Sequence, residues 1–479
     1  MAFALFYLIV SLLLFYLAQK KNGDSYLMFM VTLAFTMCGT LNEDMYKFIF
    51  LMPHEWVIAI TLGLLLLMGM AKRRRYVFAI TWIDKLFLFY LVTAILIPFL
   101  ANMYQLYITT DHVLSFFLPI KIWMVFRIFF YLLSEKKIQE KTFSTEKKFD
   151  FFLKAFVIIS LLSATVGVLR YVEIPFLTRF VDDSWPVYYN GIRVAAVYGR
   201  LTGTMSAENG TGLFFAVSVM SSLYLYNKYR KQFYLFSIAP LYFVTILSGS
   251  VSSNLTLLIA LSIFIKRHFG VRLLGRLVLV CLILFIFFLG ILSNKGINSS
   301  FITMLENRYD YNYGRSAYYS VSDTMLPAQL VGRYDKWVRY WDYFLEKPVF
   351  GYSYEGAGSM DRHFTKKGGI VAENFYVRLL IYSGIFGLLG YLVLNWTIIR
   401  RLSKIITYPE QSFFIKLFIG MILVSQISQL SFQYGGISEL FGIMSAFVLS
   451  FSEDRFKMMK SQIVYTRLHT FSAKEGFVS

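Results

Sequence analysis

ENFYVRLLIYSGIFGLLGYLVLNW, residues 373–396, decides how the rest of the chain is read. From Leu379 to Trp396 it is apolar enough for a membrane span, yet its first turns carry Glu373, Asn374 and Arg378. A helix in water carries such groups freely. In a bilayer they are costly unless they face protein or a wet cavity, so they mark a candidate functional site; a structural ion pair near the interface is the plainer alternative. At helical spacing Glu373 and Gly384 share a face, and Asn374 and Arg378 form an i,i+4 pair on a neighbouring one. Gly384, Gly387 and Gly390 would let another helix approach closely.

The whole chain fits a membrane setting. Of its 479 residues 57% are hydrophobic, 19% aromatic and only 16% charged, with a mean hydropathy of +0.58. A soluble domain of that composition would expose large sticky patches, so the expected class is an all-α polytopic membrane protein. Apolar runs of span length occur roughly thirteen times, near 3–19, 25–41, 55–71, 82–102, 113–133, 151–173, 208–226, 233–249, 252–265, 272–293, 374–396, 411–431 and 437–452. The first lacks a basic region before it and a small-residue cleavage site after it, and reads as a retained helix.

The net charge of +19 does not point to nucleic acid, because its distribution follows the spans. Basic clusters at Lys20-Lys21, Lys72 to Arg75, Lys136 to Lys148, Lys228 to Lys231, Lys266 to Arg276, Arg400 to Lys404 and after Arg455 fall at alternate inter-span positions. That is the positive-inside pattern, with the N-terminus outside and the C-terminus in the cytoplasm. Cys38 and Cys281 both lie inside predicted spans, and the five histidines show no metal spacing, so neither a disulfide, a zinc framework nor another metal site is expected.

With that topology residues 1–479 form a single integral membrane domain, and two outer segments, 174–207 and 294–373, are long enough to cover an active site. The second precedes the eleventh span. No two halves with matching spans appear, which disfavours a repeat-built transporter. The first segment runs into GIRVAAVYGRLTGTMSAENGTG, residues 191–212. Glycines there let backbone amides approach a ligand, and Arg193 and Arg200 suit an anionic group such as a phosphate. A glycine-rich turn with two solvated arginines is the plainer reading. The second contains GRYDKWVRYWDYFLEKPVFGYS, residues 332–353. At 100° per residue Arg333, Trp337, Tyr340, Trp341 and Phe344 fall on one stripe, with Asp335, Arg339, Asp342 and Glu346 opposite, and Lys347-Pro348 stops the helix. The stripe would set a phosphate contact beside sugar-stacking rings, or else lie on lipid with Arg333 at the headgroups. Upstream, ENRYDYNYGRSAYY places Arg308 and Arg315 among tyrosines. Lys121 lies deep in a predicted span, able to point into an outward-facing cavity, while Arg127 reads as an anchor at its cytoplasmic end. Asp84 and Lys85 read as a local pair.

Three pieces occur in order: RLTGTMSAENG after a mid-chain span, GRYDKWVRYWDYFLEKPVFGYS late in the large outer loop, and AENFYVRLLIYSGIFGLLGYL at the start of the next span. Together they resemble the O-antigen polymerase and ligase superfamily of Wzy-type polymerases and WaaL-type ligases, over roughly residues 150 to 400. The resemblance implies a GT-C-like membrane glycosyltransferase fold that works without a nucleotide sugar, metal or other cofactor. It implies transfer of a glycan from undecaprenyl diphosphate to an acceptor hydroxyl on the outer face of the bacterial cytoplasmic (inner) membrane. Its implied partners are the lipid-linked oligosaccharide, membrane lipid, a chain-length regulator and a flippase.

By the same resemblance Arg200, Arg333 and more loosely Arg308 form the diphosphate clamp, with Arg193 nearby. Ligases usually carry His-Asn where this chain has Glu373-Asn374, which favours polymerization. Relatives often have a Ser-Arg pair where this chain has Ser248 to Ser253, and no arginine is carried over there. Glu373 is the expected base, His363 in DRHFTKKGG its rival, and Asn374, Arg378, Trp337 and Trp341 would position acceptor or sugar. The resulting expectation is a repeat-unit polymerase. A ligase is its nearest rival, and a lipid-linked oligosaccharide flippase or transporter the rival from another class.

Overall fold

The computed structural model describes residues 2–19, 23–36, 53–71, 79–102, 110–134, 145–171, 188–189, 192–193, 208–248, 250–269, 340–353, 374–427 and 436–452. The helices are α1 (Ala2–Gln19), α2 (Gly23–Thr36), α3 (Pro53–Ala71), α4 (Trp82–Leu91), α5 (Ile97–Asn102), α6 (Thr110–Ser134), α7 (Thr145–Tyr171), α8 (Glu208–Tyr229), α9 (Gln232–Leu247) and α10 (Val251–Phe269). After them come α11 (340–346), α12 (Phe375–Ser403), α13 (Pro409–Ser425) and α14 (Ile437–Ser452). Each predicted span except 272–293, which lies outside the described residues, contains helix; 82–102 holds α4, a π-helical turn and α5, and the ends of 25–41, 151–173 and 411–431 also fall outside the described residues. Among the described residues four segments are long and apolar enough to cross a membrane: His54–Ala71, Trp82–Asn102, Thr145–Val168 and Phe375–Ser403. The chain is a multi-pass membrane protein. Among the described residues one feature departs from the all-helical expectation, an antiparallel hairpin of Tyr188–Tyr189 (β1) with Ile192–Arg193 (β2). The Asn190-Gly191 dipeptide between its strands is a strong hairpin signal in any sequence.

Without water to expel, membrane helices associate by close packing, and small residues and aromatic rings supply it. Gly212 of α8 faces Ser248, Ser250 and Ser253 at the α9–α10 corner, where an added Cβ would come within 2.6 Å of Ser248 Oγ. Gly442 of α14 faces the Ile122 carbonyl of α6 at 2.6 Å by the same measure. Between α7, α8, α13 and α14 the buried Phe149 ring meets Phe447 edge-on at 4.9 Å, Phe451 at 5.8 Å, Phe414 at 5.9 Å and Tyr224 at 6.0 Å.

The charged side chains sort the helix ends. At one end Lys228 reaches Glu146 and Asp150, each at 2.6 Å, Arg267 reaches Glu410 at 3.1 Å, and the Arg401 guanidinium lies 5.3 Å from the Trp82 ring. These contacts join the ends of α8, α10 and α12 to the starts of α4, α7 and α13, so the joined helices run in opposite directions and the described basic residues Lys228, Arg267 and Arg401 stand at one end. Asp84 belongs there too. It closes a capping box with Thr81, accepts from Trp123 Nε1 at 2.8 Å and pairs with Arg127 at 3.1 Å. Its partner is therefore Arg127 across the bundle, where the sequence suggested the neighbouring Lys85, because a partly buried carboxylate takes the cation its packing supplies.

The Trp82–Asn102 span is not a regular helix. Val92–Leu96 is a π-helical turn joining α4 to α5. Pro98 has no N–H to give the Ala94 carbonyl, and the Ser383 hydroxyl of α12 donates to that carbonyl instead. Gly387 and Gly390 admit the π-helical turn against α12, so that a Cβ at Gly387 would sit 3.3 Å from Ala94 Cα and one at Gly390 would collide with the Thr93 hydroxyl. The glycine stripe read in the sequence thus finds its partner.

Phe149→Ala empties the centre of the aromatic seam and is expected to cost about 3–5 kcal/mol. Phe236→Ala, at a position 73% exposed, should stay within about 0.5 kcal/mol. Thermal unfolding in one detergent compares the two, and equal losses would remove the seam from the account of the core.

Candidate functional site

At the end opposite the basic clusters, α12 begins with Asn374 as its N-cap. Asn374 Oδ1 accepts from the backbone N–H groups of Tyr376 at 2.9 Å and Val377 at 3.1 Å, which would otherwise lack partners. Asn374 and Arg378 therefore meet through the backbone, Arg378 N–H to Asn374 C=O at 3.0 Å, while the Asn374 amide is engaged in the cap. The Arg378 guanidinium is buried and lies 5.0 Å from the Tyr382 ring centroid. The first turns of α12 are also fastened to the end of α13. Phe375 N–H donates to the Gln426 carbonyl at 3.0 Å, Tyr376 OH to the Leu423 carbonyl at 2.8 Å, and Tyr391 OH to Gln426 Oε1 at 2.7 Å.

Two turns further on the helix breaks. Gly384 has φ 60° and ψ −163°, a backbone conformation open to glycine and strained for other residues. The break releases the carbonyls of Ile381 and Tyr382 and the N–H of Ile385, and the segment after α11 takes up all three. Tyr352 N–H donates to Ile381 C=O at 2.8 Å, Ser353 N–H to Tyr382 C=O at 2.9 Å, and Ile385 N–H to Pro348 C=O at 2.9 Å. Close approach makes a second glycine necessary at Gly351, φ 65°, where a Cβ would strike the α12 backbone at Ile381 and Tyr382. Asn102, the last residue of α5, holds the same turn from the other side. Its Nδ2 donates to Pro98 C=O at 2.8 Å and Gly351 C=O at 3.0 Å, and its Oδ1 accepts from Lys347 Nζ at 2.7 Å.

Residues 347–353 are thus a clasp between α5 and the two halves of α12. Lys347 leaves the helical path where the sequence predicted a stop. The clasp also holds a residue the sequence reading passed over. Ser353 is fully buried, has φ 79°, and its hydroxyl has no hydrogen-bond partner among the described residues, a combination that marks a specialised position.

The predicted site residues divide by this geometry. Asn374 and Arg378 stand at the start of α12. Trp341 is 54% exposed, whereas its neighbour Tyr340 is buried against Ile381 and Tyr382, so the aromatic stripe read in the sequence splits between two sides of α11. Arg193 closes β2, with only its backbone described. Arg200, Arg308, Arg333, Trp337, His363 and Glu373 lie outside the described residues.

A second buried polar group at this end was only half legible. Lys121 Nζ lies 2.9 Å from Glu439 Oε1 and 3.4 Å from Glu55 Oε1, which joins α6 to the starts of α14 and α3. Glu439 Oε2 accepts from Gly436 N–H at 2.7 Å and from the Ser438 hydroxyl at 2.8 Å. Lys121, which the sequence suggested could point into an outward-facing cavity, is accordingly paired with carboxylates within the bundle. Glu439, the one acidic residue in the 437–452 run, was the signal that would have found its partner.

Residues 235–392, about a third of the chain and including α9, α10, the clasp and the broken part of α12, match the model of a family described as O-antigen ligase. No curated protein matches the chain.

Gly384→Ala should lower the melting temperature in detergent by an amount equivalent to about 3 kcal/mol, because its Cβ would meet the Val349 carbonyl. Gly420→Ala, with nothing within 4 Å of the added atom, is the control and should leave the melting temperature unchanged or raise it. Lys121→Met leaves Glu439 buried without its cation and should cost about 3–5 kcal/mol, with part of the loss recovered in Lys121→Met/Glu439→Gln. Failure of the second substitution to recover any stability would show that the pair is not coupled.

Proposed function

We propose, for a chain that this match places in the O-antigen polymerase/ligase superfamily, that it joins undecaprenyl-diphosphate-linked oligosaccharide repeat units into polymer on the outer face of the bacterial cytoplasmic membrane. The observation that carries the proposal is the coincidence of the matched residues with a broken helix whose first turns hold Asn374 and Arg378 beside Glu373. Discontinuous helices with their backbone satisfied internally are how membrane proteins build polar sites next to lipid.

In the proposed reaction the acceptor hydroxyl oxygen bonds to the anomeric carbon as the bond from that carbon to the diphosphate oxygen breaks. Attack and departure on opposite faces invert the configuration. The diphosphate is already a good leaving group, so the work of the protein is to hold it and to stabilise the departing charge. Arg200, Arg333, Arg308 and Arg193 are proposed for that task, their guanidinium forks matching phosphate oxygens. Glu373 is proposed to take the hydroxyl proton, with His363 as the rival base. Arg378 and Asn374 set the start of α12, which Glu373 precedes in the sequence, and Trp337 is proposed to offer a ring for sugar stacking. The matched family's description favours a second reading, a ligase that uses the same donor and passes the finished glycan to a different acceptor.

Arg200→Ala or Arg333→Ala is expected to abolish polymer while the protein still inserts, as read by the glycan ladder and by membrane-fraction immunoblot. In cells lacking the protein, single lipid-linked repeat units should accumulate on the outer face. Long lipid-linked chains there would select the ligase reading, and single units held on the cytoplasmic face would overturn both.

A further inference from the structure

We infer that residues 340–353 lie in the membrane interface opposite the basic end, with one edge inserted among the lipid acyl chains. The sequence placed this stretch late in an outer loop and left two readings of its helix, a phosphate contact beside sugar-stacking rings or a helix lying on lipid, with no depth and no inserted edge assigned. Two helix lengths counted from one shared origin give its depth. The Arg401 guanidinium over the Trp82 ring sets α4 and α12 level with one another at the basic end, where Trp and Arg mark a membrane boundary. From Trp82 the span of 21 residues to Asn102 rises about 30 Å, and the seventeen residues from Arg401 back to Gly384 rise about 25 Å. Asn102 holds the Gly351 carbonyl, and the Gly384 backbone sits against Val349. The turn therefore lies in about the outermost 5 Å of a hydrocarbon layer about 30 Å thick.

The side chains agree with that depth. Around α11, Tyr340 is buried on α12, Trp341 and Leu345 point to a second side at 54% and 58% exposure, and Asp342 and Glu346 are exposed on a third. Val349 and Phe350 extend the second side past the turn, and the Phe350 ring stacks on Phe386 with centroids 5.7 Å apart and planes 15° apart. Exposed Ile385, Phe386 and Leu389 continue the same surface down α12. The one cation in this stretch, Lys347, is turned inward to Asn102 and to the Tyr352 ring at 4.8 Å. An apolar edge without charge, continuous with the apolar face of a membrane helix and backed by a carboxylate edge, is what an in-plane interfacial element presents. The occupant assigned to the edge is the acyl region of the bilayer.

The test uses the full-length protein with Cys38 and Cys281 replaced by Ala, reconstituted in phosphatidylcholine vesicles. Nitroxides are placed singly at Leu345→Cys, Val349→Cys and Asp342→Cys. At 345 and 349 collision with oxygen should exceed collision with a water-soluble nickel chelate, and at 342 the order should reverse. Chelate access at 345 and 349 would place the element in water, and low access to both reagents would mean that protein covers the edge; either result overturns the assignment. A readout without cysteines is the share of tryptophan fluorescence lost in Trp341→Phe. That share should be quenched by brominated lipid, and an unquenched share would count against the assignment.

Discussion

A helix broken inside a membrane must find new partners for every backbone group the break releases, because lipid supplies none. At Gly384 that requirement organises much of this protein. Two carbonyls and one N–H are released, and Pro348, Tyr352 and Ser353 bring one carbonyl and two N–H groups to meet them. The opposing helix has a complementary defect, since Pro98 leaves the Ala94 carbonyl without its helical donor and Ser383 supplies one. Two irregular helices and one incoming strand of backbone are each incomplete alone and close as a set. Glycine is required where they touch, at Gly351 and Gly384, because both residues have positive φ and no room for a Cβ.

This closure gives the polar end of the bundle a fixed frame. The first turns of α12 are capped by Asn374, tied to α13 through Gln426 and Leu423, and ended by the clasp at Tyr382. Arg378 is therefore held in a short, separately anchored half-helix and is not one charge on a long continuous span.

Charge is distributed by the same rule of internal satisfaction. At the basic end carboxylates of α4, α7 and α13 meet cations of α6, α8 and α10 near the helix termini. At the other end Lys121 sits among Glu55 and Glu439 within the bundle. Such a pair adds little net stability but is costly to break, which makes the mutual placement of α3, α6 and α14 specific.

The sequence by itself determined which of the described stretches are apolar helices, because apolar runs of span length are local and additive signals, while some helix ends run past those runs, as α7 does in starting at Thr145 and α12 in ending at Ser403. It also pointed to the stop at Lys347-Pro348 and to the glycine stripe of α12. Tertiary structure decided the rest. That Gly384 is a break and not another packing glycine depends on residues some thirty positions earlier arriving with free N–H groups. The split of Tyr340 from Trp341 depends on which side of α11 meets α12, and the partners of Asp84 and Lys121 depend on which helices stand beside them. Hydrophobic periodicity records whether a side chain leaves water. It does not record which neighbour closes a hydrogen bond or neutralises a charge, and in this protein those choices build the site.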